Sequence, residues 1–318
     1  MPEIIALTGA TGFIGGALAH RLHAENWQIR ALARPASKRN PLSDINVEWI
    51  EGDLDDADSL RRLVKNVYAV VHCAGAVRGA SSDHFFHVNT HGVANLVEAA
   101  IKEHPAPRFL LISSLAAREP HLSYYAASKK KGEEALAQGA GGMPWAALRP
   151  PPVYGPGDKE MLPLFRLMLQ GIAPVIGDPG ARFSMLYVQD LTDAIVQWLK
   201  CGSTLPGPFE LHDGQENGYS WDDLIRVFSG LRGRQVYRVR IPILPLAWLA
   251  RINVWAARLA GYAPMLTPGK ICEIKHPDWT CDNTLFSQET GWTPQIFLEE
   301  GLRRTLKPDI GYPKYENK

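Results

Sequence analysis

The sequence is poor in the features that mark several large classes of protein. Its 318 residues hold four cysteines, Cys73, Cys201, Cys272 and Cys281, far apart and with no CxxC pair. That spacing argues against a zinc ribbon or a disulfide framework and points to a reducing cytoplasm; no metal site is expected. Neither sign of charge dominates: 34 Lys and Arg face 33 Asp and Glu, a formal net charge of +1. Such a balance gives no electrostatic reason to expect a nucleic-acid partner. Long hydrophobic runs are missing as well. The longest of note, Ile241 to Ala250, is closed by Arg251, whereas a spanning helix needs ~20 apolar residues. At the N-terminus Glu3 stands where a signal peptide would be basic, and Gly9, Gly12, Gly15 and Gly16 interrupt the apolar stretch. No targeting segment is expected. Internal repeats and low-complexity tracts are lacking too.

What is present suits a folded α/β protein. The chain is 46% hydrophobic and 21% charged, enough apolar content for a sizeable core, and its length fits about two domains. In the first 150 residues short apolar runs alternate with helical patterns. Glu3–Thr8, Trp27–Ala33, Val47–Ile50, Val67–His72, Arg108–Ser113 and Trp145–Arg149 read as strands. Phe13–Glu25, a short stretch around Leu60, Leu63 and Val64, Phe86–Glu103 and Tyr124–Ala137 read as helices. Alternation of this kind predicts right-handed crossovers and a doubly wound parallel Rossmann sheet. Arg149 to Asp158 (RPPPVYGPGD) reads as a loop. Beyond it lie helices near Leu162–Leu169, Asp190–Leu199 and Trp221–Phe228, the last with Ser220 as its N-cap, then an apolar segment from Ile241 to Leu266. The expected division is a dinucleotide-binding unit over 1–150 and a smaller, mixed C-terminal substrate region over 151–318, interleaved with the first.

The first motif with chemical content is Thr8-Gly9-Ala10-Thr11-Gly12-Phe13-Ile14-Gly15, a GxxGxxG set between a strand and a helix. Gly9 permits a tight turn, Gly12 lets a pyrophosphate approach the backbone, and Gly15 lets helix and strand pack closely. The start of the helix then offers free N–H groups to the phosphates, which makes residues 9 to 15 the expected dinucleotide cradle. An NAD-preferring site usually places a carboxylate at the end of the second strand. Here that place reads Arg30-Ala31-Leu32-Ala33-Arg34-Pro35, with Lys38 and Arg39 behind. Arg34 is therefore the candidate partner of a 2′-phosphate, favouring NADP over NAD, unless the stretch is simply a solvated basic loop. Asp53 and Leu54 end the third strand, where Asp53 could accept the adenine amino group. Ala74 and Gly75 follow the fourth strand and leave room for the cofactor, while His72 and Cys73 read as strand-end packing.

A second constellation supplies proton chemistry. Tyr125 and Lys129, at i and i+4, share a helix face, and Ser113-Ser114 closes the preceding strand. Hydride transfer at a carbinol carbon needs a group that gives or takes the oxygen-bound proton. Tyr125 is the candidate, provided that Lys129 and an oxidised nicotinamide lower its pKa by about three units from ~10, roughly 4 kcal/mol. Ser114 would hold the substrate oxygen and Lys129 the nicotinamide ribose. Tyr124, one residue out of register, reads as packing.

The combination TGATGFIG, HCAG, ISSLAA, YAASKKKGE and LRPPPVYGPGD resembles the extended short-chain dehydrogenase/reductases, which include the NAD-dependent epimerases and dehydratases. The resemblance implies Tyr125 as general acid/base, Lys129 as its partner and ribose ligand, and Ser114 as the substrate-oxygen donor. It also implies a mostly structural role for Asn89 and places Pro152 and Val153 against the nicotinamide. The stretch Arg182 to Asp190 matches the approach to a helix of the substrate domain. Nucleotide-sugar enzymes of the family usually carry Asn soon after the strand ending at Arg149, where this chain has Pro150-Pro151-Pro152. Arg182 could meet a phosphate or pair with Asp190. Pro242, Leu244, Pro245, Trp248, Leu249, Trp255, Leu259, Tyr262, Met265 and Leu266 look more like the branch of 3β-hydroxysteroid dehydrogenases and dihydroflavonol reductases, whose substrates are apolar. The helix there, with Arg251 and Arg258 on its polar side, could line an apolar pocket, touch a membrane surface or pack as core. The expected activity is NAD(P)-dependent, reversible hydride transfer at a secondary alcohol or ketone of an apolar small molecule. The alternatives are a nucleotide-sugar epimerase or dehydratase that retains its NAD(P), and a cofactor-binding protein without turnover. Family members often dimerise through four helices, which Phe86–Glu103 and Tyr124–Ala137 could supply.

Overall fold

The computed structural model describes residues 3–306, so the ends of both expected regions, 1–2 and 307–318, lie outside it. From the N-terminus the elements are β1 (Ile4–Thr8), α1 (Phe13–Ala24), β2 (Gln28–Ala33), β3 (Glu48–Glu51), α2 (Ala57–Val64) and β4 (Ala69–His72). They continue with α3 (Ser82–Phe86), α4 (Gly92–Ala100), β5 (Arg108–Ile112), α5 (Tyr124–Gly139), β6 (Trp145–Arg149) and β7 (Val153–Tyr154). Then follow α6 (Leu162–Leu169), β8 (Ile172–Ile176), β9 (Arg182–Phe183), β10 (Leu186–Tyr187), α7 (Val188–Cys201) and β11 (Pro208–Glu210). The last are β12 (Tyr219–Ser220), α8 (Trp221–Arg232), β13 (Tyr237–Ile241), α9 (Ile243–Ala260), α10 (Pro268–Lys275), β14 (Asp278–Trp279), α11 (Thr284–Thr290) and α12 (Leu298–Leu306).

Seven strands form one sheet in the order β11-β6-β5-β4-β1-β2-β3, every pair parallel. Continuous apolar runs such as Ile4–Thr8 and Arg108–Ile112 become these strands because the sheet is covered on both faces. One face packs Leu18 and Leu22 of α1 with Leu191, Ile195 and Trp198 of α7. The other packs Leu60 and Leu63 of α2, Leu96 and Val97 of α4 and Leu136 of α5. Strand order reverses between β1 and β4, which opens a crevice at the carboxyl edge beside the glycine turn. The doubly wound sheet is thus as the residue pattern predicts. β11, from late in the chain, joins the sheet beside β6. A separate cluster around Tyr154, Phe165, Leu224, Phe228 and Leu302 forms the core of the smaller, mixed C-terminal layer.

One helix departs from expectation. Phe86–Glu103 is not a single regular helix: α3 ends at Phe86, His87–His91 is a π-helical turn, and α4 begins at Gly92. Such a turn inserts an extra residue into the ladder. Within it Asn89 is buried and donates to the Ala76 carbonyl at 3.0 Å and to Ser128 Oγ at 2.9 Å, and it accepts from Ala76 N at 2.8 Å. The amide clamps the loop after β4 to α5.

Candidate active site

The glycine turn faces the crevice. Gly9 has φ +73°, and a Cβ there would lie 2.6 Å from the Ala74 amide nitrogen, so only glycine lets β1 leave this close to the exit of β4. Gly12 N donates to the Gly9 carbonyl at 2.9 Å and closes the turn. Gly12 then caps α1 without any side-chain hydrogen bond, and no acidic residue occupies the first turn. The leading N–H groups of α1 are left for an anion, with Thr11 and Gly12 exposed and Phe13 and Ile14 half-buried. Gly15 packs so tightly that a Cβ would sit 2.2 Å from the Gly9 carbonyl oxygen. These residues fit a dinucleotide pyrophosphate. Ala74 and Gly75 continue out of β4, and a Cβ on Gly75 would come within 3.7 Å of Lys129 Nζ. The lysine and the glycine turn therefore border the same crevice. His72, buried just before, shares a 2.7 Å hydrogen bond with Thr8, and burial pushes its imidazole down to about 3.

At the far end, Arg34 is exposed and makes no ion pair among the described residues. Its neighbours are committed: Arg30 pairs with Glu48 at 2.8 Å, and Arg39 pairs with Glu51 at 3.1 Å while lying over Trp49. Asp53 Oδ1 accepts from Asp55 N at 2.9 Å and Asp56 N at 3.1 Å, so that oxygen turns the chain into α2. Leu54 packs against Gly92. Pro152 is exposed, its carbonyl accepting from Leu186 N, and Val153 lies in β7 paired with Leu186.

Ser114 and Tyr125 come together, and Lys129 lies one helical turn further along α5. Ser114 accepts from Ala116 N at 3.2 Å and is hydrogen-bonded to Tyr125. Burial pushes the Tyr125 phenol up to about 12; the Ser114 hydrogen bond opposes this and the charge of Glu273 reinforces it. The expectation that Lys129 acidifies the phenol is not met. Its Nζ instead donates a 2.6 Å hydrogen bond to the Ile112 carbonyl, and burial lowers it to about 8 against the opposing charges of Glu133 and Cys73. Beneath lies a support that the motifs did not reveal. Arg149 donates to both Glu133 oxygens at 2.8 and 2.6 Å, and Ser113 donates to the same carboxylate at 2.5 Å.

Tyr125 opens into a cleft of about 690 Å³. Its walls include Val77, Phe85, Phe86, Val254, Pro264 and Met265, with Arg258, Lys270 and Glu273 as charged members. Tyr124, expected to pack, is 62% exposed and also lines this cleft. The helix rotates by ~100° per residue, so turning Tyr125 inward turns Tyr124 outward. Glu273 and Lys270 come from α10, far along the chain, and no local motif singles them out. The pairing of Arg182 with Asp190 is not formed. Arg182 donates to the Asn217 and Gly218 carbonyls at 2.5 and 3.1 Å, whereas Asp190 accepts from Gln295 N and Ile296 N. Among the described residues no cluster of potential metal ligands occurs, and no helix is long and apolar enough to cross a membrane.

The chain is similar to known proteins. Residues 5–208 match the NAD dependent epimerase/dehydratase family. A ceramide reductase of Caulobacter vibrioides is 36% identical over 95% of this chain and 93% of its own. A UDP-glucose 4-epimerase of Vibrio cholerae is 25% identical over 96% and 95% of the two chains. The solved UDP-glucuronic acid 4-epimerase of Bacillus cereus, in complex with UDP-glucuronic acid and NAD, superposes with a TM-score of 0.73 at 19% identity, covering 95% of this chain and 97% of its own. With the matched region spanning the glycine turn, the serine strand and the YxxxK helix, the chain belongs to the NAD(P)-dependent epimerase/dehydratase family of extended short-chain dehydrogenase/reductases.

Proposed function

We propose that this enzyme reduces a ketone, reversibly, to a secondary alcohol on an apolar, lipid-like substrate, with NADP(H) preferred over NAD(H). The observation that carries the reading is Tyr125, hydrogen-bonded to Ser114, in the wall of a largely apolar cleft. The nicotinamide, when bound, supplies the hydride. Residues 9–15, Ala74, Gly75, Pro152 and Val153 hold the dinucleotide, Lys129 its ribose, and Arg34 the 2′-phosphate. Ser114 positions the substrate oxygen. Tyr125 donates its proton as negative charge develops on that oxygen, and an alkoxide is a far stronger base than a phenolate, so the transfer runs downhill. Holding the phenol near 12 keeps it loaded for this direction. The Caulobacter relative, named a ceramide reductase, makes a ceramide bearing a ketone the first compound to test.

A nucleotide-sugar epimerase with retained cofactor is the second reading, favoured by the Vibrio relative and the solved neighbours. Against it stand Pro150–Pro152, in place of the usual Asn, and Arg182, whose guanidinium is engaged by backbone carbonyls. Purified enzyme given NADPH or NADH with the ketone should yield alcohol and oxidised nicotinamide in equal amounts. Interconversion of UDP-sugars with no net change in nicotinamide would favour the second reading instead.

A further inference from the structure

The helix that walls the cleft is built inside out. On α9 the buried residues are small, Ala250 and Ala257, two turns apart. The opposite face carries Leu244, Trp248, Ile252, Trp255 and Leu259, spaced by four, four, three and four residues and each 56–77% exposed. At ~100° per residue these five side chains fall within an arc of about 80°. A helix of a globular protein turns such a stripe toward the core, and a contiguous exposed one marks an interaction surface. The neighbouring β8–β13 ribbon adds exposed Ile172, Tyr237 and Val239, with Tyr237 in register opposite Ile172.

Charge around the stripe is as one-sided as its hydrophobicity. From Leu224 to Cys272 the sequence holds eight basic residues and no acidic one, in a chain whose net charge is +1. Arg226 and Arg238 are neutralised by Asp223 and Asp222, and Lys270 by Glu273. Arg234, Arg240, Arg251 and Arg258 are exposed and have no carboxylate partner among the described residues. Arg251 and Arg258 flank the apolar stripe along one edge.

We infer that α9 lies in the plane of an anionic lipid bilayer, its five large apolar residues in the acyl boundary and its arginines at the headgroups. Two tryptophans in the stripe suit that depth, since indole rings favour the interface, and basic residues on the flank favour anionic lipid. Pairing of this face with its own copy would bring unpaired arginines together, which disfavours a second copy as the occupant. The helix is also a wall of the cleft, through Val254 and Arg258. An apolar substrate would therefore reach Tyr125 from the bilayer. That corollary rests on the proposed function; the docking itself does not.

The test is flotation of the full chain, without cofactor or substrate, with phosphatidylcholine vesicles and with vesicles containing phosphatidylglycerol. The expected result is binding to the anionic vesicles at least tenfold stronger than to the neutral ones, weakened by salt, with a blue shift of tryptophan emission. Trp248→Asp/Trp255→Asp and Ile252→Asp/Leu259→Asp should each lose binding by at least tenfold while keeping the parent Tm, because these side chains are exposed. Absence of binding to anionic vesicles, or variants that bind like the parent, would overturn the inference. So would a dimer in solution that these variants dissociate, which would give the surface to a second copy. Because the readout needs no turnover, it stands or falls separately from the ketone assay.

Discussion

Ser123, the N-cap of the helix that carries Tyr125, donates a 2.5 Å hydrogen bond to Glu273 on α10 while accepting one from Ala126 N at 2.9 Å. This contact docks a distal segment onto the start of α5 and sets a carboxylate close enough to raise the phenol pKa. Lys270 pairs with the other Glu273 oxygen at 2.9 Å, and Trp279 donates to the Glu273 carbonyl, so the carboxylate is held in place.

Glu273→Gln keeps the shape of that contact and removes its charge. The Tyr125 phenol should then ionise at lower pH than in the parent, the more so because Lys270 loses its partner. The measurement is the phenolate absorbance that disappears in Tyr125→Phe. An unchanged or higher midpoint would mean that Glu273 serves the fold alone.

Arg34→Ala should weaken NADPH binding by about tenfold or more, the loss of a charge-assisted pair, and leave NADH binding nearly unchanged. Titration of both cofactors by calorimetry checks this. Equal losses would show that Arg34 does not read the 2′-phosphate.

Lys129 gives the stability a signed pH dependence. Burial lowers its pKa from 10.5 to about 8, so between those values the unfolded chain binds more protons than the folded one. Stability from this group therefore rises with pH through that window and is lost as pH falls through about 8. Cys73 and Cys281, whose thiols burial pushes up to about 12, act in the opposite direction over the same range, so the lysine's share is the difference between the parent and a variant that lacks it. Denaturant titrations of the parent and of Lys129→Met over that window should show a slope in the first and none from this group in the second.

Glu133→Ala should destabilise by about 3–5 kcal/mol, since it leaves Arg149 buried without its carboxylate. Ser113 loses its acceptor in the same variant. Urea unfolding measures this directly. A loss below ~1 kcal/mol would show that Arg149 finds compensation, for which Glu210, 3.9 Å away, is the available group.

The sheet was legible because strands buried on both faces must be nearly all apolar, and the glycine turn because only such a turn lets β1 and β4 leave so close together. Tyr125 and Lys129 could be paired by helical spacing, and Ser114 by its place at a strand end. Glu273 and Lys270 could not be read in this way, since nothing near them in sequence shows that α10 folds over the start of α5. The π-turn at Asn89 was hidden for a similar reason: its cause is a clamp on Ala76 and Ser128, not local propensity. Composition showed α9 to be apolar but not which way it faces, because small alanines inside and large residues outside reverse the usual pattern.

The central claim, that Tyr125 delivers the proton while a ketone in the apolar cleft is reduced, is tested most directly by following nicotinamide absorbance with the parent and Tyr125→Phe. The parent should oxidise one NAD(P)H for each ketone consumed, and the variant, with cofactor binding retained, should be slower by about 10²–10⁴-fold. A variant as fast as the parent would contradict the account, as would a parent that leaves every ketone untouched while interconverting UDP-sugars.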